Sequence, residues 1–494
     1  MSEKPLDDED ELITIDTEAE TMIMDDDIEK FKNYITQKPI EDIKIKIPVC
    51  NACSLIEACA YYGSVNIFIF LNSYKKFEIT NQCLYCAIIG GNTDIINECS
   101  KICQINSECF KAAYLSHNNK YLEYIFTHDL IDFESLTTKE TREIAKAQNL
   151  KAVFLLYLKN KNSIIPWCAA FPQTTEILKS GEVELLISDT DKETLLHYAA
   201  FYNNVEGCEF LLNHFHASCD DDEWPLHREK NRKGKTPLHL AAQRNSKEAA
   251  ELLILNGAKV EAKTYQRETP LHEAAQYNSK ETVDLLLSHG SKINAEDKLG
   301  NLPIHFATEF LHYDMVEYLI SHGASINEQN EFGETPLHIS VTHEYKEIIN
   351  LLLSHGANVN TETPDGQSPL TDAAQIDRKD IVELLIAHGA NTESRLDEGK
   401  TALLAAIERK SKEMVECLLS HGADVNASDS DGRSALHYTI IYKNLDIAKI
   451  LVSHGANITS KDHNGLTQIK FAQYFKRNEI HDFLVSIQEK HQEK

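Results

Sequence analysis

The tetrapeptide Thr236-Pro237-Leu238-His239 returns, intact or altered, at Thr269, Leu302, Thr335, Ser368, Thr401, Ser434 and Thr467, each step being 33 residues. A chain that repeats at a short fixed period builds one small unit many times, and units unable to bury an apolar face alone must stack. The period therefore predicts a solenoid, whose core lengthens with every unit and whose extended surface suits recognition better than chemistry.

One copy shows why each unit folds. In Thr335-Pro336-Leu337-His338-Ile339-Ser340-Val341 the hydroxyl residue suits a helix N-cap, and Pro336 brings the fixed φ of a first helical position. Glu347 to Leu353 supplies a second helix with a longer apolar face. It stops at Ser354-His355-Gly356, and Ala357-Asn358-Val359-Asn360 is expected to run extended to a turn at Asp365-Gly366.

Helix, helix, extended hairpin: the unit resembles the ankyrin repeat, over roughly residues 189–487. The steps His289-Gly290, His322-Gly323, His355-Gly356, His388-Gly389, His421-Gly422 and His454-Gly455 repeat the helix ending of that family. The expected fold class is an all-α solenoid, an array of helix–helix–β-hairpin units preceded by an irregular α-helical hairpin module. The resemblance implies that the tetrapeptide His ties neighbouring turns together by hydrogen bonds. Thr371 and Leu404 replace it, and Ala402 and Ala435 replace the Pro, so units beginning at Ser368 and Thr401 are expected to form the least rigid junction.

The array begins near Asp189, with Thr194-Leu195-Leu196-His197 as its first unit. The next tetrapeptide follows after 42 residues, the surplus falling in an acidic loop, Cys219 to Pro225. Residues 28–188 read as irregular helical hairpins that could be degenerate relatives of the later repeats: Ser54 to Ala60, Cys83 to Ile89 and Cys109 to Ala113 look like one element recurring. Residues 1–27 read as a disordered acidic tail, and 488–494 as a polar C-terminal tail. An acidic stretch before a degenerate helical module also looks like large ankyrin families of some parasitic protists.

The net charge of −28 repels nucleic acid and anionic membrane and favours a basic partner. Residues 1–29 hold 13 of the acids against the single Lys4. Within them Leu12-Ile13-Thr14-Ile15 could add as a strand to a partner's sheet edge; alternatively the stretch solvates, or folds back on basic residues of the array. No apolar run is long enough to cross a bilayer and no secretory start is visible, so a cytoplasmic protein with free thiols is expected.

The sequence offers little chemistry. Gly234-Lys235-Thr236 and Gly399-Lys400-Thr401 mimic the end of a phosphate loop, but Glu229 and Ser394 stand where its first Gly belongs. No G-x-S-x-G, H-E-x-x-H or calcium loop occurs, so no catalytic residue, cofactor or metal ligand is assigned and the chain reads as non-enzymatic. The pairs Cys50/Cys53 and Cys83/Cys86 raise an alternative, a regulatory N-terminal module that binds zinc. Against it, Cys83 and Cys86 lie in an apolar helical run, where a thiol serves as a small hydrophobe.

What remains is a scaffold or adaptor that takes a protein or peptide on its concave face. Eight residues after the tetrapeptide starts from Thr269 to Ser434 stand Tyr277, Phe310, His343, Ile376, Arg409 and Tyr442. Leu299 and Phe332 occupy hairpin tips, with Tyr265 one residue off that register. Aromatic residues and Arg are the usual anchors of an interface. These nine are the candidate partner-binding residues; the opposing reading is that the rings fold over the neighbouring unit and complete its packing.

Overall fold

The computed structural model describes residues 16–37, 43–48, 50–74, 77–133, 143–144, 147, 149–159, 169–181, 185, 188–218 and 226–492. The chain divides into two compact units, residues 1–190 and 191–494.

In the first unit, paired helices recur as Leu55–Tyr62 with Val65–Ser73, Asn81–Gly90 with Thr93–Ser100, and Ser107–Leu115 with Asn119–Thr127. The leading helices stack in sequence order. The close approach of the first two requires Gly90, where a Cβ would lie 2.0 Å from the Tyr61 carbonyl oxygen. One asparagine per step fixes the stacking. Asn92 caps its own helix and donates to the Gly63 carbonyl at 3.3 Å; Asn118 and Asn149 do the same towards Ile88 and Tyr114 at 2.9 and 3.1 Å.

The acidic stretch needs correcting as a tail. Residues 1–15, with the island Leu12 to Ile15, lie outside the described residues, but Thr17–Met24 is a helix that buries Ala19, Met22 and Ile23. Its acids act individually. Asp16 caps this helix and Asp27 the next, Ile28–Ile35. Asp26 accepts from the backbone of Asn66 and Ile67, and Tyr62 donates to Glu20 at 2.7 Å. A short antiparallel pair, Ile45–Ile47 with Cys50–Cys53, was not visible in the sequence.

In the second unit the first helices run from Leu195–Phe201 to Gln468–Tyr474, each followed by a longer antiparallel partner. Pro occupies the first helical position from Pro237 to Pro369, and the residues after it are buried. The hairpins carry no strand among the described residues, only bridges such as Ser428 with Ser434, and residues 359–360 turn rather than extend. The insertion from Cys219 to Pro225 lies outside the described residues. The last helix, Asn478–Gln492, runs past residue 487 because no Gly or Pro interrupts its Gln, Glu and Lys.

Two sets of bonds tie most units to the next. The first is the tetrapeptide His. In His239, His272, His338 and His437 the Nδ1 accepts from the backbone N–H of the capping residue, so the neutral ring carries its proton on Nε2. That Nε2 donates to a carbonyl of the following hairpin, Glu268, Asn301, Gln367 and Leu466 at 3.1, 3.0, 3.4 and 3.3 Å. The second set joins hairpin tips: Lys298 donates to the Gln266 carbonyl at 2.7 Å, Glu331 to Leu299 at 2.8 Å and Ser430 to Glu398 at 2.7 Å.

Both sets lapse in one region. Pro364, one period after Glu331, has no N–H to give to the preceding tip. Thr371 accepts from Ser368 N–H at 2.8 Å and donates back to the Ser368 carbonyl, so it caps locally and bridges nothing. Leu404 does neither, leaving the buried Thr401 hydroxyl without a partner. The outer helices compensate in part, since Arg378 pairs with Glu344 and with Asp380, which also meets Lys346 at 3.0 Å. Exposed pairs of this kind contribute about 0–1 kcal/mol each.

Two expectations follow. Native-state hydrogen exchange should be faster for first-helix amides in residues 368–408 than in residues 269–309; equal protection would mean that packing alone sets local stability. The second concerns acid. Burial pulls His239 down to about 3 and His305 to about 4, and lowers His272, His338 and His437. The unfolded chain takes up these protons near 6.5, so stability is complete above that value and lost as pH falls towards the folded values. The slope is up to about 1.4 kcal/mol per pH unit for each histidine that unfolds. The urea midpoint should therefore drop between about pH 7 and 4.5, and a level midpoint would contradict this.

Candidate functional site

The nine candidate residues fall into two rows. Tyr265, Leu299 and Phe332 stand at hairpin tips, 62, 41 and 58 % exposed. Tyr277, Phe310, His343, Ile376, Arg409 and Tyr442 each close the first helix of their unit. Those helices have seven residues and are therefore about 10 Å long, which sets the rows at opposite ends of the first helices.

Within the second row the environments differ. Tyr277 and Phe310 are exposed; His343 is exposed and stacks on Tyr345 with centroids 5.4 Å apart. Ile376 is half-buried, and so is Tyr442, whose hydroxyl donates to Glu408 of the preceding unit at 2.6 Å. Tyr442 thus serves packing, while Tyr277 and Phe310 present their rings to solvent.

Two adjoining concavities lie along the hairpins, the larger reaching the first helix of its unit. One, of about 550 Å³, is lined by Phe332, Pro364, Glu331, Glu334 and Asp365; the Pro364 ring packs against Gly333, where a Cβ would come within 2.4 Å of Cδ. The other, of about 730 Å³, is lined by Leu396, Ala405, Glu398, Lys400, Glu408 and Arg409. Both share Asp365 and Gln367. Arg409, from the helix-end row, here lines the same space as hairpin residues. Lys400 is matched by Glu398 and Glu408 at 3.3 and 3.5 Å, so the acids dominate the lining.

The sequence reading missed Leu311, beside Phe310 in the turn between the two helices. It is 50 % exposed and has a φ of 59°, and Tyr313 two residues on is 39 % exposed. Earlier units place Asn203, Asn245 and Asn278 at this left-handed position, the residue type that tolerates it. Asn245 uses its side chain to accept from Thr282 N–H at 3.1 Å, one unit on. The signal was a leucine at an asparagine position of the register.

The thiols of the first unit occupy apolar surroundings. Cys53, Cys59, Cys83, Cys86, Cys99 and Cys109 are buried, and loss of solvation pushes Cys99 up to about 12 and raises Cys59, Cys83 and Cys109. The Cys50 side chain lies outside the described residues. Among the described residues, no three His, Cys, Asp or Glu converge as a metal-binding group. No helix among them is long and apolar enough to cross a membrane.

A stacked series of helix pairs, each closed by a hairpin and most of them tied to the next by a buried imidazole, defines a helical repeat protein. The chain belongs to the ankyrin-repeat family: the model for ankyrin repeats in three copies matches residues 144–264, 261–330, 304–396 and 372–462. That match begins before residue 189, inside the stretch read as irregular hairpins. A second model, a domain of unknown function (DUF3447), matches residues 74–157. Among curated proteins, the putative E3 ubiquitin-protein ligase XBAT31 of Arabidopsis thaliana is 30 % identical over 112 residues, 22 % of this chain. The chain spans about a quarter of that relative's length, 25 %.

Replacing Leu311 by Asn should stabilise the array by about 1 kcal/mol, by relieving the left-handed leucine and offering an acceptor to the next unit. Urea denaturation of the full chain checks this. No gain would mean that neighbouring packing already holds the turn.

Proposed function

We propose that this chain is a cytoplasmic, non-catalytic scaffold or adaptor that takes a protein or peptide partner of basic character on the concave face of its array. Residues 189–487 supply the binding surface and residues 28–188 a second helical module. The observation that carries the reading is the pair of exposed apolar rows, Tyr265, Leu299 and Phe332 on one side and Tyr277 and Phe310 on the other. Rings left in water at fixed spacing contribute little to the fold and lose their solvent cost when a partner covers them. Leu311 supports it further, since it opposes local backbone preference and extends the apolar surface around Phe310. The acids lining the concavities favour a partner with lysine or arginine.

The plant relative bears the name of a putative ubiquitin ligase, but the shared 112 residues make up only a quarter of it. The likeness supports an interaction role and carries no ligase activity to this chain.

The test is affinity capture with the full chain against a variant carrying Tyr277→Ala, Phe310→Ala and Phe332→Ala. Exposed rings should be removable with a change in stability of about 0.5 kcal/mol or less each. The expected outcome is an unchanged unfolding transition with loss of the captured partner. Retained capture would remove the aromatic rows from the interface; an unfolded variant would assign the rings to packing.

A further inference from the structure

In three units the fifth residue of the tetrapeptide unit, just after the His position, meets the hairpin loops. Glu273 shows this: its carboxylate, 2 % exposed, meets Lys235 Nζ at 2.7 Å, and Lys235 is the residue immediately before Thr236 of the preceding unit. Ala405, at the same position, lines the larger concavity, and Tyr438 reaches Asp429 of its own hairpin at 3.0 Å. The Lys235–Glu273 pair spans 38 residues, one period plus five.

Three periods later the same two positions hold Glu334 and Asp372. The acid of the helix is retained, and its cation has become a second acid. Asp372 is 6 % exposed, and no hydrogen bond or ion pair engages its carboxyl among the described residues. Among the described residues, the charge that bears on it is that of Glu334. Glu334 in turn lines the smaller concavity beside Phe332 and Pro364, and among the described residues its carboxylate accepts only from the Asn330 amide, at 3.0 Å. At a position that holds an ion pair three periods earlier, two acids are placed together, with no cation paired to either among the described residues.

Resting on the scaffold reading above, we propose that Glu334 and Asp372 form a binding site for one lysine or arginine side chain of the partner, which enters beside Phe332 and completes the ion pair that Lys235 completes internally. Burial, with the Glu334 charge added, raises Asp372 to about 7. Phe332 and the Pro364 ring offer apolar surface to the aliphatic stem of such a side chain. Pro364 has no N–H to give, so the ladder of tip hydrogen bonds lapses beside this site.

The test is the charge reversal Glu334→Lys in the full chain, which recreates the Lys235 arrangement. The probe is a fluorescein-labelled octapeptide of alternating Arg and Ala, followed by anisotropy at physiological salt, with a Ser–Ala octapeptide as its neutral counterpart. The expected result is that E334K weakens the Arg probe by about tenfold or more while raising the thermal midpoint by about 2–4 °C. Glu416→Lys, an equal charge change on an exposed second-helix position, should weaken it less than about threefold. Asp372→Asn should weaken it without the gain in midpoint. Equal loss in E334K and E416K would overturn the site in favour of a diffuse acidic field, as would wild-type affinity for the Ser–Ala peptide. Displacement of the probe by calcium at constant ionic strength would make the carboxyls a metal site and also overturn it. If E334K keeps the captured partner that the Tyr277, Phe310 and Phe332 variant loses, the cation site falls while the scaffold reading stands.

Discussion

The buried imidazole of the tetrapeptide is the interaction on which the array depends. It works only as a neutral ring of one tautomer, because Nδ1 must accept from the helix N-terminus while Nε2 donates to the next hairpin. One side chain thereby sets the start of a helix and the spacing to the following unit. Where Thr371 takes its place, the helix start survives and the spacing bond does not. Where Leu404 takes its place, the apolar side chain is wholly buried, but the Thr401 hydroxyl beside it is stranded. Local structure and inter-unit coupling are thus separable, although a single residue normally supplies both.

Much of this architecture could be read from the sequence because the period is strict and its residues have narrow physical roles. Pro at a first helical position and Gly after a helix leave few alternatives for the chain between them. Reading by composition fared worse. The acids of residues 16–27 suggested a solvated tail, yet Asp16, Asp26 and Asp27 each accept from the open end of a helix. A carboxylate at a helix start looks the same in a charge count as one in a disordered run. The strands Ile45–Ile47 and Cys50–Cys53 escaped for a related reason, being too short to show alternation.

The site was less legible than the fold, and the reason is register. Rows of equivalent residues one period apart were visible, and within them Tyr277 and Phe310 lie exposed. They could not separate these from Tyr442, whose fate is decided by Glu408 in the unit before. Glu334 and Asp372 are 38 residues apart, so neither a local window nor a comparison of equal positions joins them. The interval carries meaning only once the Lys235–Glu273 pair shows that the two positions meet.

That coincidence bears on why the array can hold a carboxyl without a counterion. In a globular core such a group would be set against the whole fold, but stacked units depend on their immediate neighbours, so the cost stays local. The units around Asp372 already lack the histidine bond and one rung of the hairpin ladder, and an outer network through Arg378 and Asp380 holds them from the opposite side. A cation arriving from outside would add at this point the cohesion that other units draw from within. Binding and local stability would then be the same free energy seen from two sides, and the weakest step of the array would be the one with most to gain from occupancy.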